Sequence, residues 1–193
     1  MKGKRFATSL AKANQKKLIN SHLAKTGNRY GMALVLDGTT RNTTKALVKD
    51  GWKPNKIFIP NNSKDYTYIK RYHNNTFPMS IGEFIVMHRS KINSLGLVYM
   101  DYMCAFETVK NDLCNLLNHK MMMDGSALGV TFSINRSLKN NTGFIQRDMI
   151  YTISFITELA FDNGYSITME QLGGNYRNQG SQMYSLIFKL YRQ

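Results

Sequence analysis

Two carboxylates stand where an apolar run stops. Asp37 follows Met32-Ala33-Leu34-Val35-Leu36 and opens the polar turn Gly38-Thr39-Thr40-Arg41-Asn42, while Asp101 follows Leu95-Gly96-Leu97-Val98-Tyr99-Met100 and opens Tyr102-Met103-Cys104. Apolar runs of this kind suit strands covered on both faces, as in a parallel sheet. If the two strands are parallel and adjacent, their carboxyl ends face one crevice, which is where open α/β sheets take ligands. A carboxylate there offers negative charge and hydrogen-bond acceptors to whatever the crevice takes. Other chemistries find no pattern. His22, His73, His88 and His119 are scattered, without metal-ligand spacing to Cys104, Cys114 or the acids. No phosphate-binding loop of the Walker type and no Gly-x-Ser-x-Gly elbow occurs, so hydrolase and phosphotransferase readings lack support. Two cysteines are too few for a disulfide framework and read as reduced thiols.

The elements that must position these groups alternate. After strand 32–36, Gly38 permits a tight turn, the Thr and Asn residues beyond it offer N-caps, and a helix runs to Asp50 and stops at Gly51. A second strand, 57–59, ends at Pro60-Asn61-Asn62, and right-handed crossover makes the pair parallel. Segment 63–72 mixes Lys64, Lys70 and Arg71 with Tyr66, Tyr68 and Tyr72, which suits unpaired nucleobases or, equally, a short helix packed on the sheet. A short third strand is expected at 76–79, and Ser80 with Glu83 forms a capping box that starts a helix reaching 92. Beyond strand 95–100 come a helix at 108–118, core-filling methionines at 121–123, a turn at Asp124-Gly125 and a fifth strand at 127–134. A polar loop with Arg136 and Lys139 leads to a helix at 144–161, stopped by Asn163-Gly164. Strands at 165–170 and 182–191 flank a Gly- and Asn-rich loop at 171–180 that contains Tyr176 and Arg177. These last two strands have no helix between them and must pair as a hairpin.

Charge points to a polyanion. The chain of 193 residues holds 26 Lys and Arg against 12 Asp and Glu, a formal net charge of +14. Nucleic acid is the first partner to expect, ahead of an anionic membrane surface or an acidic protein. The Asn and Lys usage also fits an AT-rich genome, such as that of a virus or an organelle. Residues 1–27 read as a basic helical extension in which Leu10, Ala13, Leu18, Ile19, His22 and Leu23 alternate with Lys12, Lys16 and Lys17, after Lys4 and Arg5. Such a helix can cross phosphates, cap a pocket or simply pack on a surface. Residues 28–193 then form one domain. No apolar run approaches the ~18–20 residues that span a bilayer, and no signal-peptide core opens the chain. The expectation is a soluble intracellular protein of cytoplasm, organelle matrix or virus, with no membrane partner.

Six parallel strands joined by helices, with a seventh entering through a hairpin, resemble the class I S-adenosylmethionine-dependent methyltransferase superfamily from about residue 31 onward. The resemblance implies an α/β, three-layer Rossmann-like fold with a seven-stranded, mostly parallel sheet and one antiparallel strand. It also implies S-adenosylmethionine as cofactor. The family places acids after its first and fourth strands, matched by Asp37 and Asp101. Its Gly-rich first turn is reduced here to Gly38, with Thr39 following, and its ribose-binding acid is matched by Asn61, whose amide can hydrogen-bond a diol. Adenine is expected beside Met79, Ser80 and Ile81. The stretch Asp101-Tyr102-Met103-Cys104 stands where amino-methylating members carry Asp/Asn-Pro-Pro-aromatic, so Asp101 would accept a hydrogen bond from the target amine and Tyr102 would stack on the base; both prolines are absent. The same stretch can be read as the Asp-x-x-Cys of RNA cytosine-5 enzymes, but their second cysteine is replaced by Thr131-Phe132-Ser133, and the proline of DNA cytosine-5 enzymes by Met103. Cys104 therefore reads as a buried free thiol. The implied function is methylation of RNA or DNA at a base nitrogen, with Lys4, Arg5, Lys12, Lys16, Arg136, Lys139 and Arg177 on phosphates. The alternative is a catalytically inactive member that serves as a nucleic-acid-binding or scaffold subunit of a larger assembly.

Overall fold

A computed structural model describes residues 10–102, 104–133, 142–178 and 181–193. In chain order these form α1 (Leu10–Thr26), β1 (Met32–Val35), α2 (Asn42–Lys49), β2 (Ile57–Pro60), α3 (Tyr66–Lys70), β3 (Thr76–Phe77) and α4 (Ile81–His88). Then follow β4 (Leu95–Asp101), α5 (Phe106–Asn118), β5 (Met122–Ser133), α6 (Thr142–Asp162), β6 (Tyr165–Asn178) and β7 (Ser181–Arg192). The strands make one sheet in the order β3-β2-β1-β4-β5-β7-β6. Pairing is parallel from β3 through β5, while β7 is antiparallel to both β5 and β6. Six strands therefore share one direction and β7 alone is reversed, as the sequence order implies.

The continuous apolar runs are what a sheet covered on both faces requires. All residues of β4 from Leu95 to Met100 are buried, and their side chains divide between two cores. Leu95, Val98 and Met100 pack with Leu34, Phe84, Leu113 and Ile156 under α4, α5 and α6. Leu97 and Tyr99 pack with Ile19, Leu23, Leu47, Trp52 and Ile69 from the α1, α2 and α3 side. Three layers result.

Helix α1 is part of this packing, although its buried stripe is rotated from the expected one. Leu18 is 65% exposed, whereas Asn20 is buried and its Oδ1 accepts a hydrogen bond from Thr43 Oγ1 at 3.2 Å. The Trp52 indole donates to Ala24 O at 3.1 Å. After α1 the chain passes so near the start of β4 that Asn28 N donates to Gly96 O at 2.9 Å, and a Cβ on Gly96 would stand 1.9 Å from Asn28 O. The end of α1 thus lies at the amino ends of the strands, and its first half points toward their carboxyl ends.

Several boundaries differ from the sequence reading. Helix α4 stops at His88, because the amides of Lys91 and Ile92 both return to His88 O and close a turn. Helix α5 begins at Phe106, two residues early. Asp124-Gly125 is a kink inside β5 and not a turn before it: Gly125 takes φ +64°, and the β4–β5 register shifts between Leu95 and Leu97. Asp124 is held from two sides, its carbonyl by Asn28 Nδ2 and its carboxylate by the Arg192 amide, each at 2.9 Å. The Gly- and Asn-rich segment expected as a loop is paired up to Asn178, with Arg177 opposite Gln182. Register shifts after Met169 and Gly173 absorb its irregular residues within the ladder. Since Ser133 of β5 pairs with Met183, the hairpin tip stands at the carboxyl ends of the parallel strands. Among the described residues no helix is long and apolar enough to cross a membrane.

Candidate active site

Strands β1 and β4 pair with Val35 opposite Tyr99, and Leu36 N donates to Tyr99 O at 3.0 Å. Asp37 and Asp101 lie two residues beyond that pair, so the carboxylates leave adjacent strands at one edge. Asp37 is 9% exposed. Its Oδ2 accepts hydrogen bonds from both the amide and the hydroxyl of Thr44, each at 2.8 Å. A carboxylate seven residues upstream therefore caps α2. The Thr and Asn caps expected from the sequence are not used: the N-cap position is Arg41, left-handed at φ 51° and ψ 42°, with no side-chain cap of its own. Burial pushes the Asp37 carboxyl above the ordinary range, the Thr44 hydrogen bonds oppose this, and the charge of Asp101 adds to the upward push. Arg41 N closes the turn onto Gly38 O at 2.9 Å. A Cβ on Gly38 would meet nothing within 4 Å, and Gly38, Thr39 and Thr40 are exposed.

Asn61 ties the second strand to the first. Its Nδ2 donates to Asp37 O at 3.0 Å, and its Oδ1 accepts from the amide and hydroxyl of Ser63 at 2.9 and 2.6 Å. Ser80 closes the capping box of α4: its hydroxyl accepts from Glu83 N at 3.2 Å and donates to Glu83 Oε2 at 2.8 Å, while Ser80 N donates to the same oxygen at 2.7 Å. These bonds hold the Glu83 carboxyl below its ordinary range. Met79 and Ser80 line a cavity of about 390 Å³ together with Glu83, Met87 and Asp112.

On the other side of the crevice, Asp101 Oδ2 pairs with Lys16 Nζ at 2.8 Å. The following loop is strapped along β5 by Tyr102 N to Thr131 O and Ser133 N to Cys104 O, each 2.9 Å. Tyr102 packs against the core below α4 and α5, and its hydroxyl donates to Asp112 Oδ2. Burial raises both the Tyr102 hydroxyl and the Asp112 carboxyl above their usual values. Cys104 is a half-buried free thiol whose pKa burial also raises, which disfavours the thiolate a nucleophile needs. Two of the histidines serve packing: His73 Nε2 meets Ile57 O at 2.7 Å, and the His88 and Phe84 ring centroids lie 4.4 Å apart; His119 is exposed, with Nε2 3.1 Å from an Arg89 guanidinium nitrogen. Among the described residues no group of three metal-ligating side chains occurs.

The fold thus brings together Asp37, Gly38, Thr39, Asn61 and Asp101 at one sheet edge, and Lys16 joins them there as the partner of a carboxylate. Ser80 and Tyr102 stand at the α4–α5 side, on either side of Asp112. Lys12 belongs to α1, and Arg177 lies in β6, not in a loop between strands. Lys4, Arg5, Arg136 and Lys139 lie outside the described residues, as does Met103. Sequence reasoning missed Thr44, Asp112 and Arg41. Only Thr44 left a signal, a small hydroxyl residue at the start of a helix.

No protein-family model matches the sequence, and no curated protein matches it. Solved structures do. TYW2 of P. horikoshii in complex with MeSAdo superimposes with a TM-score of 0.62 at 10% identity, over 100% of this chain and 67% of that one. TYW2 of M. jannaschii in complex with AdoMet gives 0.58 at 13% identity, over 98% and 80%. A candidate rRNA methylase from Clostridium thermocellum gives 0.59 at 8% identity, over 91% and 97%. The chain therefore spans about two thirds of the P. horikoshii protein and nearly all of the C. thermocellum one. At such identities the likeness is one of architecture, and it agrees with the observed strand order and the single reversed strand: this chain has a class I methyltransferase fold, carried by a divergent sequence.

Proposed function

We propose that the protein is an S-adenosylmethionine-dependent methyltransferase acting on nucleic acid, RNA or DNA, at a base nitrogen. The observation that carries this reading is the placement of Asp37 and Asp101 side by side on adjacent parallel strands of a methyltransferase fold. The residues present fit the cofactor: the open space at Gly38 and the exposed hydroxyls of Thr39 and Thr40 leave room above the turn, and Asp37 supplies negative charge beside it. Bound there, S-adenosylmethionine supplies a methyl group activated by a sulfonium cation. Asn61 would present its amide to the ribose, and Met79 with Ser80 would border adenine. Asp101 would accept a hydrogen bond from the acceptor amine and hold it in line for attack; alignment of this kind can carry much of the acceleration. The net charge of +14 suits a polyanionic substrate, with Lys4, Arg5, Lys12, Arg136, Lys139 and Arg177 as phosphate contacts. The candidate rRNA methylase among the structural neighbours points the same way.

Two observations favour a second reading, that of a catalytically inactive nucleic-acid-binding or scaffold subunit. Lys16 already neutralises Asp101, and the Tyr102 hydroxyl is committed to Asp112. Calorimetric titration with S-adenosylmethionine and S-adenosylhomocysteine, with Asp37→Ala as control, separates the two. Binding lost in the variant, followed by transfer of labelled methyl to RNA or DNA, is expected for the enzyme. Folded protein that takes up neither ligand is the scaffold.

A further inference from the structure

The turn after β1 and the segment after β2 meet in a cluster of side chains that none of the site functions above uses. Arg41, three residues beyond Gly38, extends its guanidinium over the ring of Tyr72 at 4.4 Å from the centroid. Tyr68 lies beside Tyr72 with ring centroids 5.2 Å apart and ring planes inclined by 53°, so the two rings present faces in different directions. Residue Ile69, completely buried, anchors α3 to the core, whereas Tyr68 and Tyr72 are 43% and 55% exposed. The tyrosines are therefore not what holds α3 in place. Arg41 is unusual twice over: a non-glycine residue in the left-handed region, and a guanidinium whose buried Nε finds no hydrogen-bond partner among the described residues. Lys64 and Arg71, both exposed, belong to the same segment as the tyrosines, and Lys70, between them, donates to the carbonyls of Asn74 and Thr76. Tying Asn61 to Asp37 O and Thr44 to the Asp37 carboxylate fastens both segments, so the cluster keeps a fixed relation to the crevice.

We propose that Arg41, Tyr72 and Tyr68 form a stacking platform for unpaired nucleobases of a single-stranded nucleic acid, at the rim of the crevice. This deepens the nucleic-acid reading above and rests on it for the identity of the substrate. Every nucleobase has a π-face, so a base can lie on the open surface of either exposed tyrosine ring whatever the sequence. The guanidinium of Arg71 and the ammonium of Lys64 meet the phosphates on either side of the stacked base, a contact that positions the strand without reading it. A duplex, whose bases are already stacked on one another, gains only the phosphate contacts. The platform thus selects single strands, and its closeness to Gly38 brings a held base within a few residues of the turn where methyl transfer is proposed.

The test is fluorescence anisotropy of the full chain with labelled oligouridylate, oligothymidylate and a blunt RNA duplex at matched salt. Tyr68→Ala/Tyr72→Ala is expected to weaken single-strand binding about tenfold or more and to leave duplex binding unchanged. Tyr68→Phe/Tyr72→Phe keeps the rings and is expected to bind as the unaltered protein does. Lys64→Ala, which removes an exposed cation placed here on phosphate, is expected to lower all three affinities alike. A loss confined to either sugar supports the platform and names the strand it takes. The proposal is overturned if the alanine pair binds single strands normally, if it loses single strands and duplex equally, or if the unaltered protein binds no single strand. Titration of the unaltered protein with S-adenosylmethionine reports separately: a protein that stacks single strands but takes up no cofactor defeats the methyltransferase reading and leaves the platform standing.

Discussion

Lys16 and Asp101, separated by 85 positions in the chain, close an ion pair at 2.8 Å across the mouth of the crevice. The side chains keep 29% and 20% of their surface exposed, so the pair is only partly screened from water. It joins the first half of α1 to the strand whose end bears the proposed acceptor-orienting group. An amine from a substrate and the ammonium of Lys16 would compete for the same carboxylate.

Breaking this pair should affect chemistry more than folding. Lys16→Met is expected to change stability by no more than about 1 kcal/mol, the usual range for a partly exposed pair. It should raise labelled-methyl transfer by freeing Asp101. Asp101→Asn, which loses a charged acceptor, is expected to lower kcat/KM by about 10- to 100-fold with cofactor affinity retained. Equal rates in all three proteins would remove Asp101 from the reaction.

The Asp37–Thr44 contact predicts a different balance. Thr44→Val removes the hydroxyl donor to a buried carboxylate, leaves the backbone donors of Thr43 and Thr44 and keeps the side-chain shape. Loss of a hydrogen bond to a charged group should cost about 1.5–3 kcal/mol, read from urea denaturation. Because the same bond shapes the turn over which the cofactor is proposed to lie, S-adenosylmethionine affinity should fall as well.

Asp112 gives a prediction in pH. Its carboxyl is raised above 3.8 by burial, so the folded state binds more protons than the unfolded chain in the window just above that value. Stability contributed by this group therefore falls as pH rises through the window. Asp112→Asn keeps an acceptor for the Tyr102 hydroxyl and removes the buried charge. The variant should melt higher than the unaltered protein at pH 7 and alike at a pH where the carboxyl is already protonated in both states. Parallel curves at every pH would refute the assignment.

Two glycines should respond differently to the same added methyl group. A Cβ on Gly129 would come 2.5 Å from Leu23 Cδ2, the end of a side chain that can shift. On Gly96 it would meet the carbonyl oxygen of Asn28, backbone that is fixed by its own hydrogen bond. Gly129→Ala should cost about 1–3 kcal/mol, and Gly96→Ala more, measured by chemical denaturation. The reverse order would mean that the α1–β4 junction is looser than its geometry indicates.

The sheet was readable because of a physical constraint on parallel strands. A strand covered on both sides must be apolar throughout, and 32–36 and 95–100 are. The capping box at Ser80 was readable because its two partners are three residues apart, within one turn. What local pattern could not supply was anything set by the meeting of distant segments. The Lys16–Asp101 pair depends on the direction in which α1 crosses the sheet, and the rotation of its buried stripe depends on Thr43, whose hydroxyl donates to Asn20 Oδ1. Asp124-Gly125 has the composition of a turn, yet the kink stays inside β5 because Arg192 and Asn28 hold Asp124 from neighbouring elements. Tyr102 follows an acid directly, which let the family resemblance offer it for stacking on a base although both prolines of the motif are absent; that its hydroxyl would go to Asp112 is decided by the packing of α5.

The reversed strand also sets the order in which the protein can be made. β7 stands between β5 and β6, so among the described residues β6 is translated before the strand it pairs with. Until β7 is in place, β6 has no ladder partner, and its unpaired amides and carbonyls are open to other chains or to a chaperone. The sheet closes only when residues 181–192 have been synthesised and slide into place between two strands already translated. Cellular yield should therefore be governed by what protects β6 during translation.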